Sequence, residues 1–357
     1  MDPLEEKVKA VFSEIPFGDN GTSILDNDVV YSMDVEQSTA NVVLVISEAF
    51  KHLEGDVARK VKDGLKGIDG IEKVVIDIVR SKEEVESKDQ AATSHPKPPE
   101  TADYLKEYRH IILVASGKGG VGKSTVAINL ALALKSIGKQ VSLMDADVYG
   151  PSIPIMLGAR GESVKLKGSQ IEPLTRYGMS FLSVGNMVKE DQALIWRGPM
   201  AHQAIQNMLR DSAWPGGDYI IIDLPPGTGD VQLSIAQMTA ATGAIIVCTP
   251  QDVALLDARK AIAMFDKVNV PILGMVENMS SFVCPKCGAE TPIFAKGGTE
   301  KESEAQKIPF IGRVPIELDI RLGSDSGDPV VHGMPNSASA RNFIEMAKKL
   351  DETIQKG

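Results

Sequence analysis

The chain contains a glycine-rich segment with two lysines, SGKGGVGKST, at residues 116–125. Gly117, Gly122, Lys123 and Ser124 fit the spacing G-x-x-x-x-G-K-S/T, which binds nucleotide phosphates when it follows a strand and begins a helix. Backbone N–H groups at the start of the helix attract the phosphate oxygens, and glycines let the backbone come close. In this pattern the lysine contacts the β- and γ-phosphates, and the Ser124 hydroxyl holds Mg²⁺. The predicted nucleotide-binding residues of the loop are Gly117, Lys118, Gly119, Gly120, Val121, Gly122, Lys123, Ser124 and Thr125.

The sequence around this loop predicts the elements that position it. An apolar run at 111–115 precedes the loop, and residues 126–134, rich in alanine and leucine, favour a helix after it. Continuous apolar strands that alternate with helices indicate an α/β fold, a P-loop NTPase with a mostly parallel sheet covered by helices on both faces. Ligands in such sheets bind at the carboxyl ends of the strands. The other apolar runs are 141–144, 219–222, 244–248 and 271–276, and helical patterns follow at 230–241 and 252–268.

Acidic residues follow two of these runs. Asp145 and Asp147 come after the run 141–144, and two carboxylates at a strand end can hold a magnesium water shell or orient an attacking water. An ordinary aspartate-rich turn is the alternative. Asp223 ends the run 219–222 in the Walker B arrangement, in which it would hold Mg²⁺ through water. The segment 225–229, PPGTG, is a candidate switch loop, or the stiffened start of a helix capped by Asp230.

The sequence CPKCG at residues 284–288 brings two cysteines to one turn. C-x-x-C followed by glycine can aim two thiolates at one metal ion, but a tetrahedral site needs four ligands. Cys248 lies inside an apolar run and is read as a buried core residue. A redox pair, an incomplete zinc knuckle and half of a site completed by a symmetry mate remain possible. A redox pair would sit at a helix N-terminus, whereas residues 289–292 do not begin a helix, and two pairs across a twofold axis would suit a 4Fe-4S cluster or zinc.

The remaining sequence predicts two domains and a linker. Residues 1–80 read as a small α+β domain of order α-β-β-α-β, with helices near 2–12 and 49–67 and strands near 28–35, 41–47 and 72–79. His52 within it is expected to be a surface or half-buried residue rather than a ligand. Residues 81–108 are rich in charge and proline and are interpreted as a linker. The ATPase domain with the C-x-x-C site would span residues 109–357, ending in an amphipathic packing helix at 337–354.

The composition excludes several classes of function. A formal net charge of −10 provides no basic field for nucleic acid, so nucleic acid is not an expected partner. No apolar run approaches the roughly 18 residues of a membrane span, and no basic-plus-apolar signal begins the chain. Three cysteines in 357 residues suggest a reducing compartment rather than a disulfide framework. We expect a cytoplasmic protein, or one of an organelle stroma or matrix if a transit peptide was removed.

The form KGGxGK, with Lys118 directly after the first glycine, resembles the deviant Walker A loop of the MinD/ParA/nitrogenase-iron-protein class. In that class the extra lysine reaches across a homodimer to the nucleotide on the partner subunit. Further segments follow the order seen in Mrp-type iron–sulfur cluster carrier ATPases, strongly from about residue 108 onwards and loosely over 1–80. These segments are DADVYGPS at 145–152, WRGPM at 196–200, DLPPGTGD at 223–230, and ENMS at 277–280 with CPKC behind it.

The resemblance implies roles for individual residues. It implies ATP and Mg²⁺ as cofactors, with Lys118 and Lys123 acting at the phosphates. Asp147 would orient the hydrolytic water, while Asp145 would support Mg²⁺ together with Ser124 and Asp223. Asn278 would hydrogen-bond the purine ring, although a turn-forming asparagine is the competing interpretation. The catalytic set is therefore Lys118, Lys123 and Asp147, and the magnesium set is Ser124, Asp145 and Asp223.

The function implied by the resemblance is that of an iron–sulfur cluster carrier. A homodimer would share a labile 4Fe-4S cluster, or less favourably zinc, between the Cys284 and Cys287 pairs of its two subunits. It would pass the cluster to apo-proteins and contact assembly factors, with slow ATP hydrolysis acting on dimer geometry. The small N-terminal domain lacks the cysteine that many of its relatives carry after the second strand, which leaves partner docking as its role. The alternative is an ATP-dependent spatial-positioning or partition switch with a structural zinc knuckle.

Overall fold

The computed structural model describes residues 3–17, 22–27, 29–36, 39–68, 71, 73–81, 104–187, 198–294 and 297–356. The chain divides into two compact units, Met1–Lys97 and Pro98–Gly357. Most of the predicted linker, residues 82–103, lies outside the described residues. The description resumes at Tyr104, and the buried side chains of Leu105 and Tyr108 already pack in the core of the second unit. That unit therefore begins before residue 109.

The first unit has the predicted order α-β-β-α-β. Strand β2 pairs antiparallel with β1 and parallel with β3. Helix α2 buries Val57, Val61 and Leu65, which recur every four residues and therefore share one face of the helix. His52 is exposed in a short 3-10 helix at Glu48–Leu53, in agreement with its interpretation as a surface residue. The elements are α1 at Pro3–Glu14, β1 at Val30–Glu36, β2 at Thr39–Val45, α2 at Glu54–Lys66 and β3 at Lys73–Val79.

The second unit is built on a nine-stranded sheet in which the central strands are parallel. The order is β13-β12-β11-β4-β10-β5-β9-β8, with β14 parallel to β12. Among the described residues of this sheet, only the pairs β12 with β13 and β8 with β9 are antiparallel. A separate two-stranded ribbon pairs β6 with β7. The strands are β4 at Tyr108–Ala115, β5 at Val141–Asp145, β6 at Lys165–Lys167, β7 at Gln170–Glu172, β8 at Leu174–Arg176, β9 at Met179–Ser183, β10 at Gly217–Asp223, β11 at Gly243–Cys248, β12 at Ile272–Val283, β13 at Glu290–Thr291 and β14 at Phe310–Ile316.

Helices cover both faces of this sheet. Alternate residues of β4 enter two different hydrophobic cores, with Ile112 in one and Leu113 in the other, as the two-residue period of a strand requires. The first core contains α3 and α11, and the second contains α5 and α7. The predicted α/β class is confirmed. The helices are α3 at Lys123–Ser136, α4 at Ile153–Met156, α5 at Gly198–Arg210, α6 at Asp230–Met238, α7 at Asp252–Lys267, α8 at Gly298–Gln306, α9 at Leu318–Ser326, α10 at Val330–Gly333 and α11 at Ala338–Lys356.

Helix α11 is the packing helix that its amphipathic pattern predicts. Phe343, Met346 and Leu350 are buried in the first core. Asp351 on the same helix contacts Lys139 Nζ and the Tyr219 hydroxyl at 2.7 and 2.6 Å, which joins the helix to the sheet. Within the described part of the chain, no helix is both long and apolar enough to cross a membrane.

Strand β12 differs from its prediction. The apolar pattern ends at residue 276, but the strand continues to Val283. The segment ENMS therefore lies inside the strand rather than after it, and Cys284 follows the strand end directly. Glu277 has a polar side chain, yet it is fully buried because other segments satisfy its carboxylate.

Candidate nucleotide and thiolate sites

The phosphate loop connects β4 to α3, as the sequence predicts. Gly120 and Gly122 have φ angles of 76° and 77°, in the left-handed region that favours glycine. A Cβ atom on Gly122 would lie 2.1 Å from Nδ2 of Asn278, and one on Gly117 would lie 2.1 Å from the backbone oxygen of Asp257. Glycine is therefore required at 117 and 122 because neighbouring segments press against the loop.

The predicted phosphate and magnesium residues meet at the carboxyl ends of β5 and β10. Lys123 is buried, and its Nζ lies 2.6 Å from Oδ1 of Asp223 and 3.8 Å from Oδ2 of Asp147. The Ser124 hydroxyl donates to Oδ2 of Asp223 at 2.5 Å. Both groups at the end of the loop thus contact the acid that ends β10.

Asp145 and Asp223 are paired across neighbouring strands and are both fully buried. Burial raises the pKa of Asp145 to about 7, with a further contribution from the charge of Asp223. Oδ2 of Asp145 accepts a hydrogen bond from the Ser183 hydroxyl at 2.8 Å, and Oδ1 accepts one from the Asp147 amide at 3.1 Å. Burial also raises the pKa of Asp223, against the opposing effect of Lys123. Asp223 pairs directly with the Lys123 ammonium group, and the two buried carboxylates on neighbouring strands form an oxygen-rich site that favours a cation.

Lys118 and Asp147 have different surroundings. The Lys118 side chain is partly exposed and forms no ion pair among the described residues, while its backbone oxygen accepts a hydrogen bond from the Ser116 hydroxyl at 2.9 Å. Asp147 is almost buried, and its Oδ1 accepts a hydrogen bond from the Gly150 amide at 3.3 Å. Lys118 is thus the lysine of the loop whose charge remains available to another group.

Asn278 lies inside β12, so its interpretation as a turn residue is wrong. Its Nδ2 donates to the backbone oxygen of Val121 at 2.7 Å, which places the side chain directly on the phosphate loop. A cavity of about 530 Å³ opens beside this contact. The cavity is lined by Gly122, Thr125, Ser152, Ile155, Met156, Asn278, Met279, Pro315, Ile316, Glu317, Ile320, Arg321, Ser324 and Asp325.

The sequence analysis did not predict the part of this cavity that residues 315–325 form. Pro315 and Ile316 end β14, and the other residues of this segment follow it. The strand residues Phe310, Ile311, Val314 and Ile316 form an interrupted apolar pattern. The rule that parallel strands present ligand-binding residues at their carboxyl ends would have pointed to this segment. Gly312 and Arg313 interrupt the apolar pattern of β14, so the sequence analysis did not identify this strand.

The segment 225–229 connects the Walker B strand to α6. The Gly227 amide donates to the backbone oxygen of Ser116 at 2.9 Å, so this segment contacts the phosphate loop. Gln232 Nε2 donates to the backbone oxygens of Pro225 and Pro226 at 3.2 and 2.6 Å. The N-cap of α6 is Gly229, and Asp230 is already its first helical residue, so the expected capping role of Asp230 is wrong. Within the WRGPM segment, Trp196 and Arg197 lie outside the described residues, and Met200 is an exposed residue of α5.

Cys284 and Cys287 lie in a tight turn at the far end of β12. The Gly288 amide donates to the Cys284 backbone oxygen at 2.8 Å, and Gly288 has a φ of 72°. The chain then returns through β13, which pairs with the end of β12. Cys284 is partly exposed and Cys287 is exposed. Hydrogen bonds from the backbone of Lys286 and Cys287 lower the pKa of the Cys284 thiol, which favours a thiolate.

The third cysteine is a core residue, as predicted. Cys248 is buried at the end of β11, and its Sγ lies 3.2 Å from the Thr299 hydroxyl. Burial raises the pKa of its thiol to about 12. No helix follows the C-x-x-C turn in the described residues 288–294, which removes the geometry expected of a redox pair.

These features define a P-loop NTPase. The sheet is mostly parallel with helices on both faces, a glycine-rich loop joins β4 to α3, and Lys123 and Ser124 contact the Walker B acid. The sequence identifies the family within this class. Residues 107–351 match the NUBPL iron-transfer P-loop NTPase family of the ParA group, and the chain belongs to that family.

Relatives over most of the chain carry consistent names. The chain is 42% identical to the iron-sulfur cluster carrier protein of Aquifex aeolicus over 325 residues, which cover 88% of this chain and 89% of that protein. It is 47% identical to the iron-sulfur cluster carrier protein of Escherichia coli K12 over 243 residues, 68% of this chain and 66% of that protein. It is 49% identical to the mouse iron-sulfur cluster transfer protein NUBPL over 248 residues, 69% of this chain and 78% of that protein.

Solved structures agree with the fold. The nucleotide-binding protein of Archaeoglobus fulgidus in complex with ADP is 36% identical, with a TM-score of 0.58 over 65% of this chain and 92% of that chain. The septum site-determining protein MinD of Pyrococcus horikoshii, complexed with Mg-ADP, is 24% identical, with a TM-score of 0.51 over 68% of this chain and 96% of that chain. The predicted fold and family are confirmed.

Proposed function

We propose that this protein binds iron–sulfur clusters and transfers them to apo-proteins, with ATP binding and hydrolysis. The observation that carries the proposal is the pair Cys284 and Cys287, held in a turn at the end of a strand with both side chains accessible. Cargo that must reach an acceptor protein is better held by such a pair than in a buried cage. The names of the relatives in Aquifex aeolicus, Escherichia coli and mouse support the same activity.

The active form of this carrier is a homodimer. Cys284 and Cys287 supply two thiolates, whereas a 4Fe-4S cluster takes four. The described residues of one chain contain no group of three or more His, Cys, Asp or Glu side chains arranged to hold a metal ion. A second copy related by a twofold axis would add the same two thiolates. The cluster, with zinc as the lesser possibility, would then sit on the axis.

ATP binds at the phosphate loop in this proposal. Lys123 would exchange its contact with Asp223 for the β- and γ-phosphates, and the backbone of residues 117–125 would surround them. Lys118, whose charge is uncommitted among the described residues, would reach the nucleotide of the partner subunit. The cavity beside the loop would hold the base, with Asn278 at its edge.

The oxygen atoms near the loop suit Mg²⁺. Ser124, Asp145 and Asp223 offer a hydroxyl and two buried carboxylates, which are the hard ligands that this ion prefers. The ion would neutralise charge on the transferred phosphoryl group. Asp147 would orient the attacking water, and its position 3.8 Å from Lys123 Nζ keeps it at the phosphate end of the site. We expect hydrolysis to be slow and to act on the geometry of the dimer.

The expected partners are apo iron–sulfur proteins and assembly factors in the cytoplasm or an organelle matrix. A net charge of −10 opposes nucleic acid as a partner. We assign residues 1–80 to a docking domain. The connecting segment, expected at 81–108, would end before Leu105, because Leu105 and Tyr108 pack in the core of the second unit. The ATPase domain would then account for the rest of the chain.

Anaerobic reconstitution with iron and sulfide tests the proposal. Wild-type protein should develop a broad brown absorption with about four irons per dimer, and Cys284→Ala/Cys287→Ala should not. Cys248→Ala is the matched control, since its thiol is buried away from the turn, and it should load like the wild type. Zinc alone, or a colourless dimer unchanged by the double substitution, would contradict the carrier function and favour a positioning switch.

A further inference from the structure

Two adjacent residues of β12, Glu277 and Asn278, connect the phosphate loop to the base of the cysteine hairpin. Successive side chains of a strand point to opposite sides. Asn278 points to the phosphate loop, and Glu277 points to the segment through which the chain returns from the hairpin. Cys284 lies six residues beyond Asn278 on the same strand and its turn.

The contact of Asn278 with the loop is close and buried. Its Nδ2 lies 2.7 Å from the Val121 backbone oxygen, and its exposed fraction is 6%. The same nitrogen would lie 2.1 Å from a Cβ on Gly122. A shift of Val121 and Gly122 when phosphates bind must therefore move Asn278 or leave a buried amide unpaired, which is unfavourable.

Glu277 closes the hairpin at its base. Its fully buried carboxylate accepts the Thr299 amide at 3.0 Å and the Gly297 amide at 3.3 Å, both just beyond the returning arm of the hairpin. Arg313 Nε of β14 lies 3.3 Å from the same carboxylate. Glu277 therefore holds β12 and the start of α8 together. It lies next to Asn278, which contacts the phosphate loop.

The strand changes direction immediately after this pair. Met279 has a φ of 56°, a left-handed conformation that is uncommon for a residue other than glycine. Asn278 pairs with Val314 and Phe282 pairs with Ile316, so four residues of β12 advance against two of β14. Such a bulge re-aims the strand beyond it. The direction in which the thiolates are presented is therefore set at the point where the phosphate loop touches the strand.

We propose that Glu277 and Asn278 are positioning residues that couple the phosphate loop to the Cys284–Cys287 hairpin. Phosphate binding moves Val121, Asn278 follows through its hydrogen bond, and the bulge at Met279 turns the motion into a new hairpin orientation. Glu277 makes the two arms of the hairpin move together. The inference rests on the proposed carrier function and adds the route by which nucleotide changes how firmly the cluster is held.

The experiment measures cluster loss from the full-length, cluster-loaded protein to an iron chelator, with and without saturating Mg-ATP. The ratio of the two rates is the coupling, and couplings between sites are typically five-fold or more. The nucleotide dissociation constant is measured separately for each variant, and the nucleotide concentration is set well above that constant. Wild type should show a ratio of at least about five.

Asn278→Ala should bring this ratio close to one. Glu277→Gln, which keeps the size of the side chain but offers only one acceptor oxygen to two amides, should lower it as well. Asn186→Ala is the matched control, because Asn186 is a buried asparagine whose Nδ2 donates to the backbone oxygens of Ala159 and Glu162 rather than to the phosphate loop. It should keep the wild-type ratio. Circular dichroism checks that each variant is folded. If Asn278→Ala does not fold, Glu277→Gln alone tests the proposal.

Inorganic tripolyphosphate separates this route from recognition of the base. It can occupy the loop without filling the neighbouring cavity, so it should change cluster loss in wild type and not in Asn278→Ala. A response to ATP alone would assign Asn278 to base binding and overturn the proposal, as would an unchanged ratio in both variants. If the rate of cluster loss from the wild-type protein does not change with any nucleotide, only the coupling is overturned. If the wild-type protein binds no cluster, the carrier function itself is overturned.

Discussion

Lys123 Nζ lies 2.6 Å from Oδ1 of Asp223, so the lysine of the phosphate loop and the acid at the end of β10 form a buried ion pair. The two residues are 100 positions apart in the chain. Ser124 donates to the other oxygen of the same carboxylate. Nucleotide and Mg²⁺ would use these same atoms, so binding and the stability of this corner of the fold are linked.

Removal of Lys123 should destabilise the protein as well as abolish nucleotide binding. Lys123→Ala leaves the buried Asp223 without its countercharge, beside the equally buried Asp145, and breaking one partner of a buried pair typically costs about 3 kcal/mol or more. Denaturant unfolding measures the loss. Adding Asp223→Asn should restore part of it, whereas Lys356→Ala, at an exposed pair with Glu352, should change little. Equal losses in the single and double variants would contradict this account.

A methyl group at Gly122 should disturb the site more than one at Gly138. Both residues have positive φ angles, 77° and 90°, so alanine carries a similar backbone strain of about 1–2 kcal/mol at each. A Cβ at 122 also meets Nδ2 of Asn278 at 2.1 Å, whereas nothing lies within 4 Å at 138. Calorimetric titration should find weak or absent ATP binding in Gly122→Ala and normal binding in Gly138→Ala. Normal ATP binding in both variants would contradict the argument that the contact with Asn278 requires glycine at position 122.

The three cysteines should differ in their reaction with an alkylating reagent. Cys284 and Cys287 are accessible and should react quickly in the folded protein, while Cys248 is buried and should react only on unfolding. Mass spectrometry after timed labelling identifies each site. Loading with iron and sulfide should protect 284 and 287 together. Protection of one without the other would contradict a shared ligand role.

The contact between Asp351 and its two partners should make stability depend on pH. Burial acts to raise the pKa of Asp351, but hydrogen bonds from Lys139 and Tyr219 outweigh it and lower the pKa below 3.8. Its contribution is therefore present above about pH 4 and is lost as the pH falls through the lowered value. Asp351→Asn should cost about 1 kcal/mol near neutral pH and progressively less in acid. Thermal unfolding of both proteins between pH 3 and 7 checks this, and a constant difference would refute it.

The sequence predicted the phosphate loop, the acids of β5 and β10 and the thiolate turn because each is encoded by neighbouring residues. A glycine-rich spacing after an apolar run sets the loop, an aspartate after a buried run sets the strand end, and C-x-x-C with glycine sets the turn. The same local logic predicted the order of elements in the first unit. It did not predict the extent of β12, since an apolar pattern ends where buried polar residues begin.

What the sequence by itself determined is the type of each local element and the class of chemistry it can support. The tertiary structure decided which distant residues meet. Glu277 can be buried only because the amides of Gly297 and Thr299 satisfy its carboxylate, and Asn278 contacts the loop only because β12 passes beside it. Hydrogen-bond partners that lie 20 to 157 residues apart leave no periodic signal in a sequence. They arise when the sheet brings the carboxyl ends of its strands to one edge.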